Sequence, residues 1–305
     1  MELTLDTQAA TPLEQLNMET ETKKLPPIFT GFELYAHNEN GIFIINPKDG
    51  SIFKWIDVES LEKNGVYYGE KKKSKGGRRN FQGTVFNCFD RHNIGKGYHE
   101  TQDRQFKQCI KKFGGFYMAT CKARTLDDKN VTFSMPHRIP LDMISHYSAV
   151  QEANKYYKRY AKLNNRKREF KSFIPCGAAY DCMYEEIFER FKAEVMAIKQ
   201  PDELPYDAWN RYEETRREDL FKNGVYGIFD LFSRGSETCT EFYANHCNST
   251  YRGGLAHGLY LISNREKEKI ELTASFPLGH RNFTVPEAEW RYHGYRIMLL
   301  PTNIQ

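Results

Sequence analysis

The sequence predicts an α+β fold, and three observations predict it. Segments near residues 148–161 and 177–195 carry apolar side chains at helical spacing, whereas much of the remaining chain reads as short strand-like runs bounded by turn residues. Aromatic residues make up 14% of the 305 residues, so the chain has the apolar mass to offset the entropy of ordering. Helices and strands do not alternate regularly, which is the pattern of α+β rather than of a parallel α/β sheet.

Residues 1–27 are polar and end in Lys23-Lys24-Leu25-Pro26-Pro27, with neither a helical nor a strand period. They read as a flexible arm ahead of one domain spanning 28–305. Phe32-Glu-Leu-Tyr35, Gly41-Ile-Phe-Ile-Ile45 and Ser51-Ile-Phe-Lys-Trp-Ile56 read as strands, with a turn at Asn46-Pro-Lys-Asp-Gly50. The glycine-broken run Lys71-Lys-Lys-Ser-Lys-Gly-Gly-Arg-Arg79 reads as a solvated loop. A short helix is expected over 104–113, with Phe106, Ile110 and Phe113 on one side, and then a strand opened by Gly114-Gly-Phe-Tyr117.

Ser148-Ala-Val-Gln151 fits a capping box, and Val150, Ala153, Tyr157, Tyr160 and Ala161 follow at helical spacing up to Asn164-Asn165. Lys155, Lys158, Arg159 and Lys162 fill the other faces as a solvated surface. A second helix follows Pro175-Cys-Gly177, with Tyr184, Ile187, Phe188, Phe191 and Val195 on one face. Beyond Pro201 the chain reads as short strands around residues 224–231, 251–254, 259–262, 270–273 and 295–299.

Composition bounds the function. The net charge of +4 is a small difference between 44 basic and 40 acidic residues, which speaks for solubility rather than for a nucleic-acid partner. Apolar runs fall far short of the ~20 residues that span a bilayer, so membrane insertion is not expected. The N-terminus carries no secretory pattern, and synthesis in the cytoplasm is expected. Seven cysteines without a C-x-x-C pair indicate reduced thiols rather than a disulfide framework or a zinc knuckle. Walker, nucleophile-elbow, zincin and dinucleotide-binding motifs are absent from the sequence.

Asn223-Gly-Val-Tyr-Gly-Ile-Phe-Asp-Leu231 with Gly235-Ser-Glu237, Tyr251-Arg-Gly-Gly254 and Gly294-Tyr-Arg296 stand in an order that resembles the formylglycine-generating-enzyme, or sulfatase-modifying-factor, superfamily. Phe173-Ile-Pro-Cys-Gly-Ala-Ala-Tyr-Asp181 and Gly114-Gly-Phe-Tyr117 extend the resemblance upstream, to roughly residues 29–300. It implies a C-type-lectin-like domain with two main helices, short twisted sheets and a high loop content. Asp230, Arg234, Glu237, Arg252, Gly253, Gly254 and Arg296 are the implied structural motif residues.

The oxidase members of that superfamily bind copper through a cysteine pair after Arg-Gly-Gly, but no cysteine follows Cys247 here. The implied chain is therefore non-enzymatic, with no catalytic residues and no cofactor. The family's calcium turn is also altered: Arg234 replaces an oxygen ligand and Ser236 a tryptophan, which disfavours calcium and suggests that Arg234 pairs with Glu237 or Asp230.

Members lacking the cysteines are similar to variable ligand-binding proteins of bacterial surfaces and to phage tail or virion proteins. The expectation is a structural or surface-recognition module, such as a bacteriophage virion or tail protein, with a carbohydrate-binding or protein-binding surface. Its candidate residues are His280, Arg281, Asn282, Phe283, Trp290, Arg291, Tyr292 and His293, because rings supply rigid contact area and amides directional bonds. The N-terminal arm would contact other virion proteins. Two alternatives are a metal-dependent oxidoreductase using the non-cysteine ligands His246, His257, His280 and His293, and a nucleic-acid-associated protein using the basic runs at 71–79 and 155–168.

Overall fold

A computed structural model describes residues 25–58, 98–127, 130–134, 139–164, 167–203, 207–208, 211–212, 214–215, 224–230, 236–243, 248–252, 260–262, 273–275, 281–284 and 293–303. The three runs near the N-terminus become β1 (Glu33–Asn38), β2 (Gly41–Ile45) and β3 (Ile52–Asp57), an antiparallel meander. The 46–50 turn closes with the Asn46 amide donating to Ser51 O at 2.8 Å and the Gly50 amide to Asn46 O at 2.8 Å. On the exposed edge strand β1 the register slips between Leu34 and Ala36, a bulge of the kind that discourages further strands from pairing there.

Helix α1 (Tyr98–Phe113) begins six residues before the expected start and leads into β4 (Gly115–Ala119), which pairs with β3. Hairpin β5 (Arg124–Asp127) with β6 (Asn130–Thr132) follows, then α2 (His146–Tyr160). The cap of α2 lies one turn ahead of the predicted box: Ser145 is the N-cap, and its Oγ accepts from the Ser148 amide at 3.2 Å. The helix stops at Tyr160 rather than at Asn164, because Asn164 belongs to the small hairpin β7 (Leu163–Asn164) and β8 (Lys167–Arg168). Strand β9 (Phe170–Phe173) and the long helix α3 (Gly177–Ile198) come next. The remaining strands are β10 (Ser236–Tyr243), β11 (Asn248–Arg252), β12 (Tyr260–Ile262), β13 (Thr273–Ser275), β14 (Arg281–Thr284), β15 (His293–Gly294) and β16 (Met298–Pro301).

The main sheet has six strands in the order β1-β2-β3-β4-β16-β9, all antiparallel. The C-terminal strand therefore lies inside the sheet, between β4 and β9. Period-two alternation sends its side chains to two cores. On one face Ile56, Phe116, Met118, Met298 and Leu300 pack with Phe106 of α1 and Tyr180, Met183 and Ile187 of α3. On the other, Phe53, Trp55, Tyr117 and Leu299 pack with Ala149, Val150, Ala153 and Tyr156 of α2 and with Phe29 and Phe32. Phe29 and Phe170 meet at 4.5 Å between ring centroids, which seats the strand entering β1 across this second core.

The result is an α+β protein with a few helices and open, mainly antiparallel sheets. Among the described residues no helix is long and apolar enough to cross a membrane. Residues 1–24 and the 71–79 run lie outside the described residues.

A candidate binding sheet held by a buried clasp

Between α3 and β16 the chain forms a second sheet in the order β14-β11-β10-β15. Its entry and its exit are fixed at one place on the main sheet. Residues 224–230 form the entry. Val225 and Ile228 exchange backbone hydrogen bonds of 2.7 and 2.9 Å around a two-residue turn in which Tyr226 (φ 47°) and Gly227 (φ 78°) are both left-handed. Such a turn needs positive φ at both central positions, and only glycine takes it without strain. A side chain at Gly227 would also meet Phe43, since a Cβ there would lie 2.4 Å from the ring.

The turn is gripped by a polar stripe on α3. Glu186, Arg190 and Glu194 recur every four residues, so they share one helix face. Glu186 pairs at 2.6 Å with Lys54 Nζ, whose side chain is only 1% exposed. Lys54 Nζ also donates to Tyr226 O at 3.0 Å. The Arg190 guanidinium stacks 3.8 Å from the Tyr226 ring centroid, and Tyr226 and Tyr212 both donate their hydroxyls to Glu194. Burial holds the Lys54 ammonium below the ordinary lysine range, opposed by Glu186. Burial, followed by the Glu194 carboxylate, raises the Tyr226 phenol.

The clasp itself follows the turn. The Phe229 amide donates to Thr120 O at 2.8 Å. Asp230, left-handed at φ 67°, accepts from Arg124 Nη2 at 2.7 Å and from the Lys122 amide at 2.9 Å. The returning chain is tied beside it: Arg296 Nη2 donates to Phe229 O at 3.0 Å and Nη1 to Ala119 O at 3.0 Å, while the Ala123 amide donates to Tyr295 O at 2.8 Å. Arg124 and Arg296 are both fully buried. Beneath them burial and Asp230 push the Cys121 thiol up to about 11, which keeps it protonated and unreactive at neutral pH.

Two of the predicted motif residues, Asp230 and Arg296, thus sit in the clasp. Arg124 of β5 holds the Asp230 carboxylate, a contact across 106 residues that no local spacing announces; the expected pairing of Arg234 with Glu237 or Asp230 falls on a residue outside the described ones. Glu237 and Arg252 occupy opposed register positions on β10 and β11. Arg281, Asn282 and Phe283 lie on β14, opposite Arg252, Tyr251 and Thr250. His293 lies on β15, opposite Ser236 in the parallel pairing of β15 with β10.

The second sheet therefore gathers six predicted residues from four separate stretches of sequence, with Gly294 beside Glu237 in the pairing of β15 with β10. Arg234, Gly253, Gly254, His280, Trp290, Arg291 and Tyr292 lie outside the described residues, as do His246, Cys247 and His257. Among the described residues no group of three histidine, cysteine or carboxylate side chains is placed to hold a metal ion.

Sequence reasoning missed Lys54, Arg124 and the 186–190–194 stripe. Lys54 had a signal: it is the one charged residue within an otherwise aromatic and aliphatic strand, Ile52-Phe-Lys-Trp-Ile56. A lysine at a buried strand position requires a buried partner.

Fold and site together define an α+β protein with a C-terminal sheet fastened to its core by a buried ion pair. No family model and no curated protein matches the chain. Among solved structures, Treponema denticola variable protein 1 aligns with 62% of this chain and 85% of its own, at 10% identity and a TM-score of 0.32, a likeness that does not establish a shared fold.

Proposed function

We propose that the chain is a non-enzymatic binding or structural module that presents the β10, β11, β14 and β15 sheet and the loops around it to a glycan or protein ligand. One observation supports this above others. The candidate contact residues Arg281, Asn282, Phe283 and His293 share one sheet, and that sheet leaves and re-enters the core at a single buried clasp. Recognition surfaces are commonly loops and short strands positioned by a rigid scaffold. The setting proposed with it, a phage virion or tail and a C-type-lectin-like scaffold, rests on the order of the Gly-Val-Tyr-Gly, Arg-Gly-Gly and Gly-Tyr-Arg motifs.

A glycan array probed with wild type and with Asn282→Ala tests the reading. Asn282 is chosen because a side-chain amide supplies directional hydrogen bonds, and losing one that recognises a buried ligand hydroxyl costs about tenfold or more in affinity. Wild type is expected to bind a restricted set of glycans and the variant to lose them while unfolding at the same temperature. Equal binding by both proteins would remove β14 from the site.

A further inference from the structure

Apart from the clasp, the molecule carries a second surface where the C-terminal end of α2 meets the β7–β8 hairpin. Between residues 153 and 173 the sequence has eight lysines and arginines and a single carboxylate, Glu169. The structure withdraws that carboxylate. Glu169 is 7% exposed, and its two oxygens accept from the Thr30 amide at 2.7 Å and the Thr30 hydroxyl at 2.5 Å. Among the described residues of this stretch the face is left basic, with Glu152 engaged by Lys155 at its edge.

Its described cations fall into three sets. Arg168 and Lys171 are fixed. Arg168 Nη1 donates to Ala161 O at 2.5 Å, satisfying an orphan carbonyl at the helix end, and its guanidinium lies 4.9 Å from the Tyr157 ring centroid. Lys171 Nζ donates to the Tyr157 hydroxyl at 2.8 Å. Lys158, Lys162 and Lys167 are exposed, and among the described residues their side chains make no ion pair or hydrogen bond. The hairpin register sets Lys167 opposite Asn164 and Arg168 opposite Leu163, so the free lysines of the helix end and of the hairpin flank the fixed pair. The flanking cations are occupied elsewhere: Lys155 pairs with Glu152 at 2.5 Å, and Arg159 donates to Asn130.

The geometry points to a docking face for the phosphate backbone of a nucleic acid. Positively charged side chains on a helix end and an adjoining hairpin, set around Tyr157, suit a chain of phosphates. An anionic membrane is the poorer fit, because interfacial anchoring needs apolar side chains to bury and, among the described residues of this face, Leu163 is the exposed large aliphatic side chain. The inference is independent of the binding sheet; it takes up the nucleic-acid alternative raised for residues 155–168 and sets it above their reading as an ordinary solvated face. What changes the reading is the withdrawal of Glu169, which only the fold reveals.

Fluorescence anisotropy of the full chain with a labelled 20-base-pair DNA duplex and a 20-nucleotide RNA, across 50 to 200 mM salt, tests it. Three to five neutralised duplex phosphates predict a loss of affinity of about 40-fold to 500-fold over that range. The triple variant K158E/K162E/K167E removes exposed charges without touching the core. It should bind at least about tenfold more weakly, with a salt slope flatter by about three contacts. The variant K48E/K111E/K112E carries the same net charge change on other exposed lysines and should bind like wild type. Three results would each overturn the inference: the patch variant binding as wild type does, both variants losing affinity equally, or co-sedimentation with phosphatidylserine vesicles without binding either oligonucleotide.

Discussion

Replacing Asp230 by alanine is the sharpest probe of the clasp. Its carboxylate is the described counter-ion of Arg124, whose side chain is 0% exposed, and it accepts the Lys122 amide as well. Breaking a buried ion pair from one side costs about 3–5 kcal/mol, and a stranded buried amide about 1–3 kcal/mol. The two share a partner and do not add fully, so a loss of about 4–6 kcal/mol is expected, against a typical total stability of about 5–15 kcal/mol. Asp230→Asn keeps an acceptor and tolerates the left-handed backbone, and should cost about half as much. The double variant R124M/D230A removes both charges of the pair, and apolar replacement of a buried pair is often neutral, so much of the loss should be recovered. Urea unfolding followed by tryptophan fluorescence reports these values, since Trp55 lies in the core. A cost below about 1 kcal/mol for Asp230→Ala, or no recovery in the double variant, would show that the pair does not fasten the second sheet.

Three further outcomes follow from single sites. Burial raises the Asp49 carboxyl above its ordinary value, against the Ser51 amide that favours the ionised form. The folded state therefore holds a proton that the unfolded state releases, stability falls as pH rises from about 3.8 through the raised value, and Asp49→Asn should flatten that stretch of the Tm-pH curve while raising Tm at pH 7; an unchanged curve would contradict this. Gly31→Ala places a side chain at φ 86° in open space and should cost about 1–2 kcal/mol, whereas Gly227→Ala adds a clash with the buried Phe43 ring and should cost about 2–5 kcal/mol; equal losses in thermal unfolding would mean that the turn does not press on Phe43. Cys121 should resist a thiol reagent at pH 8 in the native protein and react on a much shorter time scale in Asp230→Ala, as read by peptide mass mapping; ready labelling of the native protein would place the thiol outside the clasp.

The first half of the fold was legible because its signals are local. The 46–50 turn, the alternation of Ser51-Ile-Phe-Lys-Trp-Ile56 and the apolar spacing of α3 each act over a few residues. Boundaries shifted where two local choices competed. Ser145 and Ser148 both offer a capping hydroxyl, and burial of His146 and Ala149 against the sheet favoured the earlier one. The central position of β16, the pairing of Arg124 with Asp230 and the inward turn of Glu169 were illegible, because each joins residues more than a hundred positions apart. The candidate site was half legible: motif order located Asp230, Glu237, Arg252 and Arg296, whereas the gathering of Arg281 to Phe283 beside Arg252 is a matter of register, which distant turns decide.

The central claim is that the second sheet recognises a ligand from a fixed position. Binding to an array-selected glycan, measured by titration calorimetry for wild type, Asn282→Ala and Asp230→Asn, tests it most directly. The account predicts that Asn282→Ala abolishes binding without lowering Tm, and that Asp230→Asn weakens binding together with Tm because the sheet loses its anchor. Undiminished binding by Asn282→Ala, or full affinity in an Asp230→Asn protein that has lost stability, would contradict it.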